Sequence, residues 1–218
     1  MKRKMEMNKG IIFDLDGTLW DSSEQVVAAW NMALAKHPET DLQITVSDMT
    51  SYMGKTMEAI AELMMPEIDL QTRLDIMKDC CDMEHEYLHS HSGKLFPKLE
   101  ETLKKLSESY KLIIVSNCQD GYIQTFFHCN PQLEKYFVDF ECPGRTGKGK
   151  GENIKLVVER NSLDKAVYVG DTQGDCDASD FAGVPFIHAA YGFGKINREV
   201  PKITAFEQVV EAAAEILE

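Results

Sequence analysis

The chain has 218 residues, 44% hydrophobic and 27% charged, a globular composition that excludes disorder and suits one full core plus a smaller satellite. With 23 Lys and Arg against 36 Asp and Glu, its net charge of −13 argues against nucleic acid or an anionic membrane as partner, while leaving room for a small phosphate at one local site. No apolar run approaches the ~18–20 residues of a membrane span, no signal-peptide core follows the basic start MKRKMEMNKG, and six cysteines form no CxxC pair, as expected of reduced thiols in a cytoplasmic protein.

In chain order, the first apolar run is IIFDLD (11–16), a strand that ends in acids. Helical stretches follow at 22–36, about 47–64 and about 69–90, with Met57, Ile60, Leu63 and Met64 at helical spacing. They read as a helical insertion over 21–96, bounded near Trp20–Ser22 and Phe96–Pro97. A helix over 98–109 places Leu99, Leu103 and Leu106 on one face. The strands KLIIVSN (111–117), YFVDFE (136–141), AVYVGD (166–171) and VPFIHAA (184–190) come next, with helices at 152–160 and 205–217. Continuous apolar strands alternating with helices predict an α/β fold, a parallel sheet covered on both faces.

Chemistry concentrates at the carboxyl ends of these strands, where open α/β sheets bind ligands. Asp14 and Asp16 lie two apart, so on a strand their carboxylates start side by side, and like charges that close drive one pKa up. That pairs a nucleophile or metal ligand with a potential general acid. Gly17 lets the chain turn and frees backbone N–H groups for an anion, with Thr18 following it. Asp171 and Asp175, four apart after the strand AVYVGD, can face one site; the competing reading is a helix cap at Asp171. Ser116 and Asn117 end their strand with a hydroxyl and an amide suited to a phosphoryl oxygen. The Gly-rich run 146–151 brings Lys148 and Lys150 to a helix start, and Lys150, directly before the helical pattern, is the preferred anion ligand.

Taken together, the order DxDGT, Ser, Lys, GDxxxD resembles the haloacid dehalogenase superfamily over nearly the whole chain. The resemblance implies a Rossmann-like core from 1–20 and 97–218. The helical bundle over 21–96 resembles the cap of the subgroup that includes phosphoglycolate phosphatase and β-phosphoglucomutase. One departure is that this subgroup commonly has Lys-Pro at the third motif, where Lys150 here precedes Gly151. By the same resemblance, Asp14 is the nucleophile and forms an aspartyl-phosphate. Asp16 protonates the leaving oxygen and then activates water. Mg²⁺ sits between the Asp14 carboxylate, the Asp16 main-chain carbonyl and Asp171, with Asp175 holding the metal or its waters. Ser116 and Lys150 bind phosphoryl oxygens, and Thr18 supports the loop. The charge count agrees independently, since four Asp and a phosphate dianion cannot assemble around one Lys without a hard cation and a shared proton. The expected reaction is hydrolysis of a small phosphorylated metabolite. A mutase on the same core and a phospho-accepting receiver are the alternatives, the receiver disfavoured by the long insertion after strand one.

Other strings are weaker. His85-Glu86-Tyr87-Leu88-His89 fits HExxH, but the polar face of a cap helix explains it. The run 144–151 nearly spells a Walker A loop, with Gly151 where Ser or Thr should bind Mg²⁺. His37, His128 and His188 read as surface or satisfied buried groups. Trp20 and Trp30 read as core, with Trp20 a candidate for the site's mouth. Lys55, in a break between cap helices (Tyr52-Met53-Gly54-Lys55), is a candidate for substrate specificity.

Overall fold

The computed structural model describes residues 7–218; most of the basic start lies outside them. In chain order the elements are β1 (Lys9–Phe13), β2 (Trp20–Asp21), α1 (Ser23–Leu34), α2 (Val46–Tyr52), α3 (Met57–Met64), α4 (Leu70–Ser90) and β3 (Lys94–Leu95). There follow α5 (Leu99–Ser107), β4 (Lys111–Val115), α6 (Tyr122–Cys129), α7 (Pro131–Glu134), β5 (Phe137–Glu141), α8 (Pro143–Thr146) and α9 (Lys150–Arg160). The chain closes with β6 (Lys165–Gly170), α10 (Gln173–Ala182), β7 (Phe186–Ala189), β8 (Lys202–Ile203) and α11 (Val209–Leu217).

Among the described residues, six strands form one parallel sheet in the order β5-β4-β1-β6-β7-β8. The first strand is therefore central, with β4 and β6 on its flanks, and the carboxyl ends of these three strands open on one crevice. Ile11, Ile12 and Phe13 are fully buried, as are Leu112–Val115 and Val167–Val169, because helices cover both faces. One face packs Phe13, Leu103 and Phe206; the other packs Ile12, Ile154 and Tyr168.

Residues 23–90 are all-helical between loops and pack around their own core of Trp30, Leu34, Met49, Ile60, Ile76 and Met77. Side-chain caps start three of these helices, at Thr45, Thr56 and Asp69. The helical stretch over 47–64 is two helices, broken between Tyr52 and Met57, where the run Tyr52-Met53-Gly54-Lys55 suggests a break. A short antiparallel ribbon, Trp20 against Leu95 and Asp21 against Lys94, carries the chain into and out of this helical unit. Among the described residues no helix is long and apolar enough to cross a membrane, and the six cysteines are free thiols.

Candidate active site

β1 ends at Phe13, so the paired acids stand beyond the strand rather than on one face of it. Asp14 still follows the ladder, its N–H donating to the Val169 carbonyl at 2.8 Å. The chain then turns at Gly17, whose φ of +77° suits glycine and whose missing side chain leaves space for the Asp171 carboxylate. The turn aims the two acids at different partners, in contrast to the side-by-side arrangement that strand periodicity implies.

Asp14 is buried and accepts from Lys150 Nζ at 2.9 Å. The same Nζ donates to Asp175 Oδ1 at 2.6 Å. Lys150 begins α9 and is itself buried, whereas Lys148 is exposed, so the preferred lysine is the one that reaches the crevice. Burial opposes its charge, but Asp14 and Asp175 outweigh burial and hold its pKa above the usual lysine value. Burial, and then the neighbouring Asp175, push Asp14 up to about 7 without a metal. Burial drives Asp171 up as well, followed by repulsion from Asp175 and Asp14.

Asp175 has donors on both oxygens. Thr172 N–H and Oγ1 donate to Oδ2 at 2.9 and 2.7 Å, while Lys150 and Tyr168 donate to Oδ1. These bonds form the capping box of α10, with Thr172 as N-cap; the capping residue is thus Thr172 rather than Asp171. Asp171 instead accepts from Phe193 N–H at 2.7 Å through Oδ2, and its Oδ1 is buried without a partner. Among the described residues, Asp14, Asp171 and Asp175 are the one group of acidic, His or Cys side chains that gathers ligand atoms, all within 4.8 Å of one another. A divalent cation fits here on chemical grounds: three buried carboxylates face one lysine, and one orphaned oxygen lacks the donor that burial demands.

Asp16 turns its Oδ1 to Trp20 Nε1 (2.9 Å), Ser22 Oγ (2.9 Å) and Tyr122 OH (2.8 Å). Burial raises its pKa, and those three hydrogen bonds pull the other way. Trp20 is therefore buried behind Asp16, packed edge-on against Phe126, and does not line the mouth. Trp30 does line it.

One cavity joins both acids to the helical unit. Asp14, Asp16, Ser116, Asn117 and Lys150 form one wall, and Trp30, Tyr52, Gly54, Lys55 and Glu84 are among the residues of the other. Gly17 and Thr18 stand behind it. The Thr18 hydroxyl is buried without a partner, and its carbonyl accepts from Tyr191 OH at 2.8 Å. Asn117 Nδ2 donates to the Gly54 carbonyl at 2.9 Å, tying the crevice to the loop between α2 and α3. Lys55 is exposed, its Nζ on the Ser51 carbonyl at 2.8 Å.

The other strings carry no site. His85 and His89 lie on α4 and gather no third ligand; His89 stacks on His128, their ring centroids 4.2 Å apart. α8 interrupts the Walker-like run, and Gly144 is packed against the backbone of Gln119 and Asp120. His37 pairs with Asp79 at 3.1 Å. His188 is half-buried, its ring against the backbone of Asp171 and Gly194. Ser22, Tyr122, Thr172 and Glu84 join the site residues without being candidates from the sequence. Only Thr172 carried a signal, as the S/T-x-x-D/E start of α10.

Residues 11–189 match the family described as haloacid dehalogenase-like hydrolase. A phosphoglycolate phosphatase of Aquifex aeolicus is 28% identical over 201 residues, covering 89% of this chain and 90% of that protein. Among solved structures, a haloacid dehalogenase-like hydrolase from Bacteroides fragilis superposes with a TM-score of 0.80 at 22% identity, covering 93% of this chain and 99% of its own. CbbY from Rhodobacter sphaeroides, crystallised with xylulose 1,5-bisphosphate, superposes with a TM-score of 0.78 at 14% identity, covering 93% and 96%.

Proposed function

The chain belongs to the haloacid dehalogenase-like hydrolases and is a phosphatase of that family; from this premise we propose that it hydrolyses a small phosphate monoester through an aspartyl-phosphate on Asp14. The observation that carries this reading is the buried Asp14, held by Lys150 beside the unpartnered oxygen of Asp171.

In the first half-reaction an Asp14 oxygen attacks phosphorus as the ester P–O bond breaks, and Asp16 gives its proton to the leaving oxygen. In the second, Asp16 takes a proton from water, the resulting oxygen attacks phosphorus, and the Asp14–phosphorus bond breaks to release phosphate. Splitting the displacement in two replaces one hard step by two easier ones. The raised pKa of Asp16 suits the acid, and its three donors suit the carboxylate that follows. Lys150 and Ser116 face the phosphoryl oxygens, and Asp175 orients Lys150.

Asp14 and Asp171, with the Asp16 carbonyl, would hold Mg²⁺, and Asp175 would stand just behind them. When bound, the ion supplies positive charge against the phosphoryl oxygens. Within the same reading, 21–96 is a cap domain on a core of 1–20 and 97–218, supported by its separate hydrophobic core and the two-stranded ribbon at its base. A reduced, cytoplasmic setting agrees with the free cysteines.

The test is turnover of an aryl phosphate with Mg²⁺, with chelator, and by Asp14→Asn. Loss of roughly 1,000-fold or more in both controls is expected. Full turnover by Asp14→Asn would overturn the assignment, and labelling without release would indicate a receiver.

A further inference from the structure

Glu84 is an acid that the mechanism leaves unused. It sits on α4, only 3% exposed, on the wall of the cavity that faces Asp14 and Asp16. Its Oε2 accepts from Trp30 Nε1 at 2.5 Å, and its Oε1 accepts from Gln119 Nε2 at 3.0 Å. Both partners are neutral donors. A carboxyl group offers about four lone-pair positions, so each oxygen keeps capacity for one more donor. The rest of that wall is largely apolar, with Val26, Met53 and Ile60 among its side chains. Lys55 makes no ion pair with Glu84; it is exposed and its ammonium donates to the Ser51 carbonyl. The cavity is small, about 50 Å³, and Glu84 and the two acids line it together.

We propose that Glu84 is the specificity residue of this phosphatase, and that it selects substrates whose leaving group carries a hydroxyl against Glu84 and rejects those that carry a carboxylate there. The proposal rests on the phosphatase reading above and names the substrate class of the same site. Burial pushes the Glu84 carboxyl up to about 8, and a hydroxyl suits either of its protonation states because it both donates and accepts. A carboxylate brings a further negative charge into a crevice that already holds Asp14, Asp16, Asp171 and Asp175, and meets the Glu84 carboxyl on a wall whose one ammonium, Lys55, is turned to the Ser51 carbonyl. An alkyl leaving group fits the apolar part and leaves Glu84 capacity unused.

The test uses two matched series of alkyl phosphates, two and three carbons long, whose far end is a hydroxyl, a methyl or a carboxylate. The two-carbon carboxylate is 2-phosphoglycolate. For the wild type, kcat/KM for a hydroxyl-ended ester should exceed that of its methyl partner by about tenfold, and the carboxylate should be slowest. Glu84→Leu should erase the hydroxyl-over-methyl preference while changing the methyl esters less than about threefold, and Glu84→Gln, which keeps an acceptor and a donor, should retain most of it. A wild type that prefers the carboxylate in either series overturns the proposal. So does a Glu84→Leu variant that slows hydroxyl and methyl esters equally, which would mark Glu84 as a support for Trp30 and Gln119 alone. Should Glu84→Leu fail to fold, the wild-type order and Glu84→Gln still decide. Failure of the phosphatase reading looks different: neither series nor the aryl phosphate would turn over.

Discussion

Asp16, Ser22 and Tyr122 form a triangle with short contacts on all three edges, the Ser22 and Tyr122 hydroxyls lying 2.8 Å apart. Two hydroxyl protons serve three edges, so both can point at Asp16 when it is ionised and one can turn away when it is protonated. Tyr122→Phe removes a donor that favours the carboxylate. The Asp16-dependent limb of the pH–rate profile should move to higher pH, kcat should fall about tenfold, and stability should drop by about 1 kcal/mol. An unshifted limb would show that Tyr122 does not tune Asp16. Lys150→Met is harsher, since it strands Asp14 and Asp175 in the interior. The metal-free variant should lose about 3–5 kcal/mol by denaturant unfolding, and Mg²⁺ should restore part of it. Asp14, Asp16 and Asp171 stand out because acids directly after apolar strands have few structural reasons to be there, and Lys150 because a Gly-rich loop brings it to a helix start. Tyr122 and Glu84 were not legible, because an aromatic or an acid on an amphipathic helix reads as ordinary until the opposing wall is known.

The loop between α2 and α3 connects the helical unit to the crevice. Gly54 sits at φ +80°, its carbonyl takes the Asn117 amide, and a Cβ there would lie 2.8 Å from Thr172 Oγ1. Asn117 therefore bridges the two units in this conformation, rather than presenting its amide to a phosphoryl oxygen. Gly54→Val should hold the loop off α10 and lower kcat/KM at least about tenfold, with Asn117→Ala showing a smaller loss. Steady-state kinetics on the aryl phosphate would check both, and a wild-type rate for Gly54→Val would show that this approach is dispensable. The break that exposes this loop was readable from Gly54, as was each long sheet strand from its apolar run. The ribbon of β2 and β3, the two-residue β8 and the short α7 and α8 were not, because two to four residues carry no periodicity. Their existence depends on partners far away in sequence, as when Trp20 pairs with Leu95.

Across the whole molecule, buried acids set how stability depends on pH. Asp14 moves from 3.8 to about 7, Glu84 from 4.5 to about 8, and Asp171 also upward, in each case chiefly by burial. Between pH 5 and 7 the unfolded chain has released these protons and the folded chain still holds them. The native state then binds more protons than the unfolded state, so stability falls as pH rises, by about 1.4 kcal/mol per pH unit for each full proton of difference. The contribution is complete below the unfolded pKa values and is lost as pH passes about 7 and 8. Asp175 is shifted downward and Lys150 upward from an already high value, so neither titrates in this window. The metal-free protein should therefore lose stability steadily from pH 5 to pH 8 in urea unfolding. A divalent cation favours ionised Asp14 and Asp171, so saturating Mg²⁺ should shrink the slope without abolishing it. Glu84 lies outside the metal group, and Glu84→Gln should shrink the remainder further, the raised Asp16 carboxyl keeping its own share. A metal-free profile that is flat or rises across this range would mean that these carboxyls ionise in the folded state much as they do in water, and that the crevice is wetter than its packing implies.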